Sequence, residues 1–117
     1  MKCIRQEANP KQIQRGIRFI NEVNDELEST AVIYQLLGSP TRLKILLLLN
    51  EEKALCVCDL SDILSISIPA VSQHLKKLRD RGLVRSDQQA QTIFYSVGRN
   101  ANSLVRSIKK LPSKVPA

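Results

Sequence analysis

The chain has 117 residues, 43% of them hydrophobic, and its 18 Lys and Arg residues against 11 Asp and Glu give a formal net charge of +7. This length suits one small domain, and the charge favours a polyanionic partner. The longest apolar run, Ile45 to Leu49, is far shorter than the roughly 20 residues that cross a bilayer, and no secretory signal is recognisable. We therefore expect a cytoplasmic protein without a membrane partner.

The first 27 residues are predicted to form an arm and a helix. Residues 1–10 have no hydrophobic period and end in a proline, so we expect a flexible arm that contains Cys3. From residue 11 to residue 27 apolar side chains recur every three or four positions, which predicts an amphipathic helix with one narrow stripe. That stripe packs either on its own domain or on a partner subunit.

Two further helices are predicted before residue 53. The first begins at Ser29 or Thr30, either of which can act as N-cap, and it ends at Gly38. The second has Ser39 as N-cap and Pro40 at its first position, where the missing N–H costs nothing. Its body, LKILLLL, is apolar nearly all round, so it is predicted to be the central buried helix.

A helix-turn-helix is predicted between residues 55 and 83. Its second helix has Ser67 as N-cap and Pro69 in the first turn, and it ends at Gly82 in a left-handed conformation. The face opposite its apolar stripe presents Ser, Gln and Lys side chains, which suit base edges and phosphates in a major groove. A solvated helix face is the alternative interpretation. The residues predicted to contact DNA are Ser67, Ala70, Ser72, Gln73, Lys76 and Lys77, with Arg85 from the strand that follows.

After this reading helix the hydrophobic period changes from about 3.6 to about 2, which predicts a β-hairpin wing with strands at residues 83–86 and 92–97. Because the connection has no glycine, we expect a loop longer than two residues. A last helix is predicted at residues 101–111, followed by a disordered tail at residues 112–117. The predicted fold class is therefore mainly α with a β-hairpin wing, a winged helix-turn-helix domain spanning residues 11–111.

At this point the chain resembles the ArsR/SmtB family of metal-responsive transcriptional repressors. The resemblance extends over about residues 30–98 and rests on GSPTRLKIL, ALCVCDLSDIL, SIPAVSQHLKKLRDRGLV and TIFYSV. It implies a homodimer that binds a palindromic operator in double-stranded DNA without any metal and releases it when metal binds. The two reading helices would then enter successive major grooves about 34 Å apart.

Three cysteines, two of them one residue apart, argue for a ligand site or a sensor and against a disulfide framework. On a regular helix Cys56 and Cys58 would point about 200° apart, so they share an ion only if they precede or break the helix. Cys3 is the third thiol. Three sulfur donors suit a soft ion as inducer, namely As(III), Hg(II), Pb(II), Cd(II) or Bi(III). The resemblance implies that an N-terminal cysteine of the other protomer completes the site.

Other interpretations stay open. In one, the cysteines are small, half-buried hydrophobic residues; in another, they make the protein a thiol redox-responsive repressor of the same fold; in a third, the protein binds DNA without any inducer. An enzyme is disfavoured, because the chain has neither a glycine-rich loop nor a βαβ pattern. His74, the only histidine, is expected to pack or to face DNA. Residues 99–117 contain no His, Asp or Glu, so the second metal site that the resemblance allows, between C-terminal helices, is absent.

Overall fold

The structure, a computed structural model, describes residues 2–110. In chain order these form α1 (Pro10–Leu37), α2 (Pro40–Glu52), β1 (Leu55–Cys56), α3 (Val57–Leu64), α4 (Ile68–Asp80), β2 (Val84–Gln89), β3 (Thr92–Val97), a short 3₁₀ helix (Arg99–Ala101) and α5 (Asn102–Lys109). The expected end of the last helix at residue 111 and the predicted tail lie outside the described residues. The mainly α fold with a β-hairpin wing is confirmed.

The chain divides between Tyr34 and Gln35 into two compact units. The described part of the first unit consists of residues 2–9, which form neither helix nor strand, and most of α1. The second unit contains the end of α1 and all later elements. The flexibility of the N-terminal arm stays a prediction.

No single helix among residues 2–110 is long and apolar enough to cross a membrane. Only α1 and α2 taken together, as a bent pair, meet that test of length and composition.

Residues 10–37 form one helix, so the prediction of two helices with a break at Ser29 or Thr30 is wrong. The Thr30 hydroxyl donates to the carbonyl oxygen of Glu26 at 2.7 Å, one turn earlier, and therefore does not cap a new helix. Between Gly16 and Gly38 the sequence has no glycine or proline that would interrupt the hydrogen-bond ladder. The two amphipathic patterns consequently belong to one long helix.

The hydrophobic core lies in the second unit, and α2 is its centre. The predicted start of α2 is confirmed, because the side chain of Ser39 accepts the N–H of Arg42 at 3.3 Å and Pro40 occupies the first turn. Around α2 pack α4, α5 and β3. The buried apolar residues are Leu37, Ile45, Leu46, Leu49, Leu60, Val71, Leu75, Leu78, Leu83, Val84, Ala101 and Val105.

The helix-turn-helix is formed by α3 and α4, as predicted. Ser67 caps α4 by accepting the N–H of Ala70 at 3.2 Å. At the other end, Gly82 has a φ of 73°, and the N–H of Leu83 donates to the carbonyl oxygen of Leu78 at 2.9 Å. This is the pattern of a Schellman motif, in which glycine accepts a left-handed conformation without a steric cost.

The wing has three strands in the order β1-β3-β2, all antiparallel. The hairpin of β2 and β3 was predicted, but β1 was not. Gln89 pairs with Thr92, so only Ala90 and Gln91 connect the two strands, and the expected loop of more than two residues is wrong. Ala90 takes the positive φ of 57° that the tight turn needs and that glycine usually supplies.

Candidate DNA-reading surface and thiol site

Helix α4 has a buried face and a polar face. Val71, Leu75 and Leu78 are buried against the rest of the second unit. Ala70 is half-buried, whereas the other predicted DNA contacts are exposed, namely Ser67, Ser72, Gln73, Lys76, Lys77 and Arg85. The arrangement leaves a polar and basic surface free to meet a ligand, and the individual contacts to DNA stay predictions.

The basic side chains of α4 form no ion pair within the described residues. Within residues 2–110 one ion pair is present, between Lys109 and Glu51 at 3.8 Å, and it lies outside α4. Lys76 and Lys77 are thus not neutralised by a carboxylate of the described chain. Unpaired lysines on one helix face suit the phosphate backbone of a nucleic acid.

The base of the wing holds a cation, and its tip does not. Arg85 on β2 donates from Nε to the Oγ of Ser96 on β3 at 3.0 Å. This hydrogen bond holds the Nε side of the guanidinium against β3. At the tip, Gln89 donates to Asp87 at 3.1 Å and Gln88 donates to the carbonyl oxygen of Ala90 at 3.3 Å. The tip amides therefore stabilise the turn itself.

The thiol pair lies at the start of α3. Cys56 is both the last residue of β1 and the N-cap of α3, with an extended backbone at φ −90° and ψ 171°. Cys58 is in the first turn of the helix. Cys56 is half-buried and Cys58 is exposed. Cys56 therefore precedes the regular helix, whereas Cys58 lies inside it, so the condition set by the sequence holds for Cys56 alone and the shared ion stays a prediction.

Asp59 holds the backbone of this pair in place. Its carboxylate accepts the N–H of Cys56 at 3.1 Å. Hydrogen bonds from the backbone and then from the side chain of Cys56 hold the pKa of Asp59 below its usual value. Nothing in the predicted motif singles out Asp59, although an acidic residue in the first turn is a general signal of a helix start.

Cys56 also joins the thiol pair to the wing. Cys56 pairs with Phe94 of β3, and Phe94 pairs in turn with Asp87 of β2. Helix α3 also packs directly against α4. Cys56 therefore pairs directly with the wing and is linked to α4 through α3.

The predicted third donor is exposed. Cys3 lies in residues 2–9, and no group of three His, Cys, Asp or Glu side chains within residues 2–110 is placed to hold a metal ion. Cys56 and Cys58 are brought to one helix start as free thiols, which fits two soft donors of such a site. The participation of Cys3 stays a prediction.

His74 is half-buried on α4, and its partner was missed by the sequence analysis. Its Nδ1 lies 3.3 Å from Nη1 of Arg42 on α2. Burial, followed by the charges of Arg42 and Lys77, lowers the pKa of His74. Arg42 lies in the GSPTRLKIL segment, where nothing in the local pattern indicates a partner on another helix.

These features define a class of protein. Two helices joined by a tight turn, a three-stranded wing and an exposed basic face on the second helix make a winged helix-turn-helix DNA-binding module.

Comparison with known proteins places the chain in a family. Residues 39–86 match the family described as "Bacterial regulatory protein, arsR family". The HTH-type transcriptional regulator YgaV of Escherichia coli is 34% identical over 85 residues, which are 72% of this chain and 86% of that protein. The structure of reduced HlyU from Vibrio cholerae has a TM-score of 0.70 and 31% identity, over 80% of this chain and 98% of that one. The chain belongs to the arsR family, whose members are transcriptional regulators and not enzymes.

A further relative is named for arsenical resistance. The arsenical resistance operon repressor of Escherichia coli is 43% identical over 63 residues, which are 54% of this chain and 54% of that protein. The chain spans 54–55% of the length of the arsenic resistance regulators that it matches, and 62% of that of cadmium resistance regulators.

Proposed function

We propose that the protein is a transcriptional repressor that binds an operator as a homodimer and releases it when a soft ion binds its thiols. One observation supports this most: Cys56 is at once the N-cap of α3 and the strand partner of Phe94 in the wing. A ligand at the thiol pair thus acts directly on the wing and, through α3, on the reading helix α4. The metal resistance roles in the names of several relatives support the same proposal.

The DNA side of the proposal depends on α4. Its exposed face offers hydroxyl, amide and ammonium groups, and the residues assigned to DNA are Ser67, Ala70, Ser72, Gln73, Lys76, Lys77 and Arg85. Each protomer brings a net charge of +7, so binding a polyanion releases counterions. DNA binding needs no cofactor, and the proposed place of action is the cytoplasm, where the operator is.

The homodimer is supported by the surface of α1. Four apolar side chains at helical spacing, Ile13, Ile17, Ile20 and Leu27, are 41%, 51%, 49% and 50% exposed. A soluble helix rarely keeps such a stripe in water, and a second copy of the chain offers the same stripe in return. A dimer would also place two reading helices on one palindromic operator.

The proposed ligands are Cys56, Cys58 and Cys3, the last from the same chain or from its partner. As(III), Hg(II), Pb(II), Cd(II) and Bi(III) form the set of inducers, because each accepts thiolate sulfur readily. When bound, such an ion would be coordinated by several thiolate sulfurs and so would link side chains that are otherwise not connected.

The release mechanism depends on how the chain holds Cys56. Any rearrangement of Cys56 strains its hydrogen bond with Asp59 and its pairing with Phe94, and α3 transmits the change to α4. A loss of operator affinity of about 100-fold requires a difference of about 3 kcal/mol between the two conformations, a usual size for coupling between two sites.

The test uses the full-length protein on a DNA duplex that the wild type selects from a random library. Each of the five soft ions is titrated into the complex, and release is measured by fluorescence anisotropy. We expect at least one ion to release the wild type. Cys56→Ser and Cys58→Ser should bind DNA normally and resist release, because only the inducer site is lost.

The variants also separate the alternatives. If Cys56→Ser or Cys58→Ser destroys DNA binding in the absence of ions, the thiols are structural. If ions release both variants as well as the wild type, the thiol site is wrong. Cys3→Ser is expected to weaken release, and unchanged release would remove Cys3 from the ligand set.

A second candidate is a thiol redox-responsive repressor. The observation in its favour is that Cys3 and Cys58 are both exposed and free, and therefore open to oxidation. An oxidant such as hydrogen peroxide is included in the titration for this reason. Release by the oxidant and by none of the ions would establish the redox alternative, and release by no agent would indicate a regulator without an inducer of this kind.

A further inference from the structure

Arg42 connects α2 with the end of α1 and with α4, all within the second unit. It lies near the start of α2, and its Nε donates to the carbonyl oxygen of Leu36, in the last turn of α1, at 2.6 Å. Its Nη1 lies 3.3 Å from Nδ1 of His74, in the middle of α4. The side chain is partly buried, so these hydrogen bonds are shielded from water on one side. The mechanism proposed above uses neither residue.

The chemistry of the pair fixes the state of the imidazole. A guanidinium has five N–H donors, no acceptor, and a charge that it does not lose in proteins. Nδ1 of His74 must therefore be the acceptor, which leaves the proton of the neutral ring on Nε2. A doubly protonated ring would have no acceptor for Arg42 and would place two cations together, in agreement with the lowered pKa of His74.

The pair is also the directional contact between α4 and α2. Val71, Leu75 and Leu78 bury α4, but apolar contacts do not depend strongly on orientation. A hydrogen bond weakens steeply when its angle or length changes. With side chains at about 5–6 Å from the helix axis, a rotation of α4 by about 10° moves them by about 1 Å, which is enough to break a hydrogen bond to a base.

We propose that Arg42 and His74 are positioning residues for the reading helix: Arg42 holds His74 as the neutral Nε2–H tautomer and so fixes the rotation of α4 about its axis. Neither side chain needs to touch DNA for this role. Gln73 precedes His74, and Lys77 lies about one turn after it. The Arg42–His74 hydrogen bond is therefore in the same turns of α4 as these two predicted DNA contacts and sets their direction. The inference rests on the DNA-binding part of the proposed function.

The first experiment measures the tautomer without DNA. His74 is the only histidine in the sequence, so its ring nitrogens are assigned without ambiguity in a long-range ¹H–¹⁵N spectrum of the full-length protein. We expect the neutral Nε2–H form at pH 7.5 in the wild type, and a mixture of tautomers in Arg42→Gln. A Nδ1–H ring in the wild type, or an unchanged ring in Arg42→Gln, would overturn the inference.

The second experiment measures selectivity for DNA. His74→Asn keeps an amide oxygen close to the position of Nδ1, whereas His74→Leu has a similar size and no acceptor. We expect His74→Leu to lose at least roughly tenfold in affinity for the selected duplex, the lower end of what one hydrogen bond to a charged group contributes. Its affinity for a scrambled duplex should stay unchanged, because lysine–phosphate contacts are electrostatic and tolerate a small rotation of α4 about its axis. His74→Asn should stay within about threefold of the wild type on both duplexes.

The outcomes separate this inference from the proposed function. If the wild type shows no preference for any duplex, the proposed function fails. If the wild type is selective and His74→Leu is equally selective, only the positioning role fails. If His74→Asn is as defective as His74→Leu, the acceptor is not what matters, and the role assigned to Arg42 is wrong. Urea denaturation of each variant shows whether the fold is retained at the temperature of the measurement.

Discussion

Lys76 and Lys77 are adjacent on α4, exposed, and outside the ion pair found in the described chain. If each contacts one phosphate, replacing either by alanine removes two contacts from a dimer. The dependence of log affinity on log salt concentration should then fall by about two units, at roughly 0.9 for each phosphate. Fluorescence anisotropy between 50 and 200 mM salt measures this slope.

A matched control for the lysines is Lys44→Ala on the exposed side of α2, which removes the same charge away from the reading helix. It should leave the slope unchanged. If Lys76→Ala, Lys77→Ala and Lys44→Ala all give the wild-type slope, the polar face of α4 is a solvated surface, and the DNA-reading assignment fails at these residues.

Single residues were predictable where their partners are near in sequence. Ser39 and Ser67 cap helices through amides three residues away, and Gly82 ends α4 through the backbone conformation that glycine prefers. Arg42 could not be placed in the same way. Its partners are 6 and 32 residues distant, so no periodic pattern records the contact.

The wing turn is an element that the structure shows to be strained. Ala90 has a φ of 57°, a left-handed conformation that costs about 1–2 kcal/mol for a residue with a Cβ. Ala90→Gly relieves this strain, while its extra freedom in the unfolded chain costs about 0.5–1 kcal/mol. We expect a net stabilisation of about 0.5–1 kcal/mol, measured by urea denaturation at fixed protein concentration.

The neighbouring residue provides the control for the turn. Gln91 is not among the residues with positive φ, so Gln91→Gly adds only freedom in the unfolded state and should destabilise by about 0.5 kcal/mol. If both glycine variants destabilise alike, the turn does not have the backbone conformation described for Ala90.

Elements were predictable to the extent that local signals define them. Periodicity and capping residues located α2, α3, α4 and the hairpin. Strand β1 has only two residues, and it exists because Leu55 and Cys56 pair with Tyr95 and Phe94, some forty residues later. The break expected at Ser29 rested on a capping residue type without a glycine or proline to enforce it, and Thr30 shows how a hydroxyl is accommodated inside a helix.

At the scale of the whole molecule, the exposed stripe of α1 leads to a prediction about assembly. Fully burying an isoleucine stabilises by about 1.5–3 kcal/mol. Ile17 is 51% exposed in the single chain, so its burial in a dimer contributes about 1 kcal/mol from each protomer. Ile17→Lys should therefore weaken dimerisation by at least about 30-fold, since both copies lose the contact and each also gains a charge. Sedimentation velocity over a range of protein concentrations measures the change.

The control for assembly is Ser29→Lys, which adds the same charge to α1 at a position about 160° around the helix from Ile13. This variant should dimerise like the wild type. Because a monomer presents one reading helix to a two-part operator, Ile17→Lys should also lose operator affinity at low protein concentration and recover it at high concentration. A variant that stays dimeric at all concentrations would show that the stripe is not the interface, and equal dissociation of both variants would point to the helix charge instead of the apolar contact.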